Sequence, residues 1–87
     1  MEYVPDLARI FDDFGYTKAQ VARTLGVSAS IVTLWLRHER RPSWENVQKF
    51  EQRMNIPRGL VRPDQWECPP QYRHYLVPAR TTQQIAA

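Results

Sequence analysis

An all-α fold, a small bundle of four to five helices followed by an extended C-terminal tail, is what the amino-acid sequence predicts. Three observations carry that prediction. Apolar residues recur at helical spacing in four successive stretches, residues able to cap a helix precede the later three, and glycine, asparagine or proline stands where each stops. A chain of 87 residues buries only about 60 to 65% of its unfolded surface, so it forms one small domain around one core. With 43% hydrophobic and 11% aromatic residues, that core can be built and wholesale disorder is excluded.

The first helix follows Pro5, whose fixed φ suits a first turn. Leu7, Ile10, Phe11 and Phe14 make its inward stripe, and Gly15 supplies the left-handed stop. Thr17 opens the second helix: its hydroxyl can accept from the Gln20 amide while Gln20 reaches back, and Tyr16 can staple onto Val21. Val21, Ala22 and Leu25 face inward before Gly26 ends this short helix. Ser28 caps the third, which runs to about Arg37. On its wheel Ile31, Val32, Trp35 and Leu36 share one half, and Ala29, Ser30, Thr33, Leu34 and Arg37 the other. Arg40-Arg41-Pro42 breaks the helix. Ser43 caps the fourth, with Val47, Phe50 and Met54 as its stripe, Trp44 near the stripe's edge, and Asn55 and Pro57 as its stop. Glu51, also at that edge, is expected to pair with Arg62.

Residues 57–66 read as one helical turn and an extended anchor plugged by Trp66. The helical period then disappears: Cys68-Pro69-Pro70 forbids a helix, Tyr72 to Val77 suits an edge strand, and Thr81 to Gln84 reads as a frayed end. The expected division is a folded domain over 1–66 and an extended or partly disordered tail over 67–87.

Several function classes lack their parts. Cys68 has no second cysteine, so disulfide scaffolds, zinc ribbons and redox motifs are excluded. His38 and His74 have no metal-binding neighbours, Asp12-Asp13 sits on a solvated helix end, and three glycines make no phosphate loop. The chain is read as a non-enzyme without cofactor or metal. Glu2 and Asp6 stand near the start where a signal peptide carries Lys or Arg, and no apolar run approaches membrane-spanning length. A cytoplasmic protein is expected.

Charge is distributed unevenly around the net +3. Residues 1–17 set Arg9 against Glu2, Asp6, Asp12 and Asp13. Residues 18–62 set Lys18, Arg23, Arg37, Arg40, Arg41, Lys49, Arg53, Arg58 and Arg62 against Glu39, Glu45 and Glu51, and the remainder balances. A basic middle behind an acidic start is the asymmetry of a nucleic-acid-binding surface, and equally of an ordinary solvated face. The second and third helices decide between them. Joined through Gly26, with small Ala22 at their crossing and a small, polar outer face on the second of the pair, they have the parts of a helix-turn-helix.

The run Thr17-Lys18-Ala19-Gln20-Val21-Ala22-Arg23-Thr24-Leu25-Gly26-Val27-Ser28 resembles the core of the phage repressor superfamily of lambda-repressor and Cro-like helix-turn-helix domains. Ile56-Pro57-Arg58-Gly59-Leu60-Val61-Arg62-Pro63-Asp64-Gln65-Trp66 is similar to the Leu-Arg-Pro-Asp-x-Trp close of YdaS/Cro-like phage regulators and antitoxins. Together the two cover roughly residues 5–66. The chain departs at His38, where relatives usually carry Gly, and at Val61, which separates Leu60 from Arg62. The resemblance implies that residues 28–37 enter the major groove, with Ser28, Ala29, Ser30, Thr33 and Arg37 at positions that contact bases or backbone. It places Lys18, Gln20, Arg40 and Arg41 at phosphates. Short side chains favour thymine methyl contacts by Ala29, Thr33 and Leu34, with DNA shape or Arg37 on guanine adding selectivity. Trp35 and Trp66 read as core rather than as base-stacking platforms.

Two functions follow as expectations. The first is a sequence-specific transcriptional regulator, a Cro-like repressor of phage or prophage origin, binding a double-stranded operator as a homodimer because one small module buries too little DNA surface alone. The tail can supply the dimer contact by strand pairing. The second is a protein-binding module of antitoxin or phage-inhibitor type, occupying a protein partner through the tail or Leu34.

Overall fold

Local capping decides where each helix begins and ends. The computed structural model describes residues 3–79. In chain order these form β1 (Tyr3–Pro5), α1 (Leu7–Phe14), α2 (Lys18–Leu25), α3 (Ala29–Leu36), α4 (Trp44–Met54), α5 (Arg58–Val61), a 3₁₀ helix (Pro70–Tyr75) and β2 (Leu76–Pro78). Thr17 and Gln20 form the reciprocal capping box: Thr17 Oγ1 accepts from the Gln20 amide at 3.1 Å, and Gln20 Oε1 from the Thr17 amide at 2.8 Å. Ser28 accepts from the Ile31 amide and Ser43 from the Asn46 amide. At α1 the cap is Asp6, whose carboxylate accepts from the Arg9 amide, and Pro5 belongs to β1 rather than to the first helical turn expected of it. Proline tolerates that role because a strand end can spare its missing N–H.

Three helices end in the same way. Gly15, Gly26 and His38 each take a left-handed conformation, with φ of 85°, 70° and 60°. In each the amide of this residue returns to the carbonyl three back, and the next amide to the carbonyl five back: Tyr16 to Phe11, Val27 to Ala22, Glu39 to Leu34. These are Schellman closures, which satisfy carbonyls that a helix end would otherwise leave bare. Asn55, at φ 57°, closes α4.

The inward stripes meet in one core. Phe50 of α4 lies between Phe11 of α1 and Trp35 of α3, ring centroids 5.9 and 5.7 Å away. Val21, Leu25, Val32, Val47, Ile56 and Leu60 are fully enclosed around them. Trp35 is core, as its wheel position predicts; Trp66 is half-buried against the core's edge.

The core continues past residue 66. Cys68 and Tyr75 belong to it, and burial pushes the Cys68 thiol above its ordinary pKa. The segment read as an edge strand from Tyr72 is 3₁₀ helix as far as Tyr75, because Pro69 and Pro70 set φ for a tight turn at its start. Strand begins only at Leu76. There β2 pairs antiparallel with β1, Val4 opposite Val77, so one edge of the strand is taken within its own chain. Tyr75 fastens this closure: its carbonyl accepts from the Asp6 amide at 2.8 Å and its hydroxyl donates to Asp13 at 2.8 Å, which raises the phenol's pKa. Thr81 to Gln84, read as a frayed end, lies outside the described residues.

The expected Glu51–Arg62 pair is not formed. Arg58, one turn closer along the chain, takes Glu51 through two guanidinium contacts of 3.0 and 2.9 Å and its own amide, and holds the Glu51 carboxyl below the usual carboxylate range. Arg62 instead grips Asp64 at 2.7 and 3.3 Å and the Pro42 carbonyl at 3.3 Å. Two residues of separation in an extended segment bring Arg62 and Asp64 together, a local pairing that helical spacing does not reveal.

Candidate nucleic-acid interface

The chain turns through 117° between α2 and α3, within the range of a helix-turn-helix. Ala22 and Leu25 of α2 and Val32 and Trp35 of α3 are all buried in the core. The opposite side of α3 stays accessible. Ser28, Ala29, Ser30 and Arg37 are exposed, and Thr33 and Leu34 are half-buried. Leu34, whose exposure would be unusual, is thus partly covered by its neighbours. The five residues expected to face bases lie on this one surface, from the N-cap Ser28 to the C-cap Arg37.

Their polar groups are not equally available. Ser28 Oγ caps the helix through the Ile31 amide at 3.3 Å. Thr33 Oγ1 donates to the Ala29 carbonyl at 3.1 Å and accepts from Lys18 Nζ at 3.0 Å. Among the described residues, the side chains of Ser30 and Arg37 have no hydrogen-bond or ionic partner.

Lys18 and Gln20 stand in the first turn of α2, both exposed, and the capping box engages the Gln20 side chain through its oxygen. Arg40 and Arg41 follow α3 in the loop that His38 redirects. Arg40 is exposed without a side-chain partner among the described residues, whereas Arg41 reaches Asp64 at 2.9 Å. Asp64 thereby joins two arginines, and the Arg62 hydrogen bonds hold its carboxyl below the usual range. His38 is partly buried beside Asp6 and Arg41, and burial lowers its pKa.

Much of the basic middle of the sequence has structural duties. Lys49 donates to the Leu25 carbonyl at 3.1 Å and Arg53 to the Thr24 carbonyl at 2.8 Å, so two α4 cations cap the C-terminus of α2. Arg58 and Arg62 are paired within the fold. Arg23, exposed in the last turn of α2 and without a side-chain partner among the described residues, adds a cation that the family positions did not single out. Its exposed place on the helix, opposite Val21 and Leu25, was the available signal.

Two further accessible features contain aromatic residues. Trp44, 46% exposed, rests on Trp66 with centroids 5.1 Å apart, and Arg58 lies over both rings. An open cavity of about 300 Å³ behind the α3–α4 loop is lined by Leu7, Trp35, His38, Arg40 and Pro42 among others.

A bihelical unit with one face in the core and the other presented outward defines the class as a helix-turn-helix protein. The helix-turn-helix family HTH_3, of the lambda-repressor/Cro-like kind, matches residues 7–61. The chain belongs to that family, one of DNA-binding transcription regulators. Neither a curated protein nor a solved structure matched the chain. No single helix among the described residues is long and apolar enough to cross a membrane.

Proposed function

We propose that the protein is a sequence-specific transcriptional repressor of the Cro-like phage or prophage type, reading the major groove of an operator with α3. The observation that carries this reading is the accessible outer face of α3, with Arg37 at its C-terminal end and Lys18 on its Thr33, while Arg23 of α2 and Arg40 of the following loop are exposed and without side-chain partners among the described residues. Ser28, Ala29, Ser30, Thr33 and Arg37 meet base edges or adjacent backbone. Lys18, Gln20, Arg40 and Arg41 hold phosphates, adding affinity and register without sequence information. A homodimer on a two-fold site suits the size of the body, 31 × 29 × 22 Å: two copies side by side separate their α3 helices by about one helical turn of DNA, roughly 34 Å.

Selection of duplex sites from a random pool, then a salt titration of the enriched duplex beside a scrambled one, tests the reading. The expected result is a palindrome preferred by roughly 10³ or more, with affinity falling steeply with salt. Equal, weak binding to both duplexes defeats it. That result favours a protein-binding module of antitoxin or phage-inhibitor type, for which the exposed Trp44, resting on the half-buried Trp66, is the supporting observation.

A further inference from the structure

Threonine offers a DNA base two kinds of contact, a hydroxyl that hydrogen-bonds several bases and a methyl that packs on the thymine C5-methyl. In this chain the hydroxyl's proton and one of its two lone pairs are committed inside the protein. The hydroxyl proton of Thr33 goes to the Ala29 carbonyl at 3.1 Å, and the Lys18 ammonium donates to its oxygen at 3.0 Å. The methyl enters neither bond. Thr33 as a whole is half-buried; one helical turn earlier on the same face stands the exposed methyl of Ala29, and the half-buried Leu34 adjoins Thr33. The middle of the outer face is therefore apolar. The hydroxyl of Ser30 and the guanidinium of Arg37 flank it.

We infer that Thr33 acts as a thymine-methyl reader, with Lys18 as the positioning residue that holds its hydroxyl away from the bases. This deepens the major-groove reading and rests on it. Lys18 has three ammonium protons and spends one on Thr33, so the others remain for a phosphate. A single side chain thus ties the backbone register of the duplex to the orientation of the base-reading residue.

The test uses the unaltered protein first. Once the enriched duplex is known, each thymine is replaced in turn by uracil, which keeps every hydrogen-bonding group and lacks only the C5-methyl. Loss of one buried methyl contact predicts binding weaker by about three- to fivefold at one position of each half-site. Two variants then assign the contact. Thr33→Val keeps the methyl and removes the hydroxyl, and should select the same site with the uracil penalty at the same position. Thr33→Ser keeps the hydroxyl and removes the methyl, and should bind thymine and uracil duplexes alike. An enriched site indifferent to uracil throughout, or a Thr33→Val variant that loses the uracil penalty or selects a different site, overturns the inference while leaving the groove reading intact. Failure to enrich any duplex removes both.

Discussion

His38 shows at single-residue scale how a departure from the family pattern is accommodated. The Schellman closure of α3 requires φ near +60° at this position, a conformation that costs a side-chain-bearing residue about 1 kcal/mol or more. Gly15 and Gly26 meet the same requirement at the ends of α1 and α2 without that cost. The position was legible in the sequence as one where relatives carry glycine; the helix nevertheless ends there because the amides of His38 and Glu39 still return to Trp35 and Leu34. Comparing His38→Gly with His38→Ala cancels the loss of the imidazole and isolates the backbone. The glycine variant should be the more stable by about 1 kcal/mol in urea unfolding, although glycine has the greater unfolded-state entropy. An alanine variant of equal or greater stability would show that the left-handed turn is not what shapes this helix end.

Between elements, charge does more tying than the sequence pattern indicated. Periodicity located α1 to α4, because a stripe of core residues is a property of neighbours in sequence. It located no ion pair correctly, because a guanidinium reaches 6 to 7 Å from its backbone and its partner is set by the approach of different segments. Asp64 is the clearest instance. It draws Arg62 from the exit of α5 and Arg41 from the loop after α3, and Arg62 adds a bond to the Pro42 carbonyl, so the loop carrying Arg40 and Arg41 is anchored to the far side of the fold. The hydrogen bonds from Arg62 hold the folded-state carboxyl below its unfolded value near 3.9. The pair's stabilisation is therefore fully present above about pH 4 and is lost as pH falls through the lower folded value. Asp64→Asn should cost about 1 kcal/mol at pH 7, a figure reduced for solvent screening, and the variant should lose less stability than the parent between about pH 5 and pH 2. Parallel acid limbs for the two proteins would mean that the arginines hold the loop without a charged Asp64. Lys49 and Arg53 belong to the same scale: they read as part of a basic surface, and the structure spends them on the last carbonyls of α2.

For the molecule as a whole, the two ends of the described chain close on one another, and this was the least legible feature. Strands of three residues are too short for a period-two pattern, and the prolines at 69 and 70 argued locally for a chain that had left the fold. What returns it is non-local: Tyr75 fills the core beside α1 and bonds Asp6 and Asp13, 69 and 62 residues away in sequence. Gly59 reports on the same closure from α5. It is buried, its φ is unremarkable for a helix, and a Cβ placed on it would run into the backbone of Glu67 and Cys68. Helix propensity alone predicts that Gly59→Ala stabilises by about 1 kcal/mol. The packed segment predicts the opposite sign, because neither a carbonyl nor a neighbouring Cα can swing aside as a side-chain tip would, and overpacking of this kind costs about 3 kcal/mol. For a domain of this size the unfolding midpoint should fall by roughly 10 °C or more. A midpoint that rises would place residues 67 and 68 away from α5 in solution, and the helix-turn-helix would then stand without the segment that closes it.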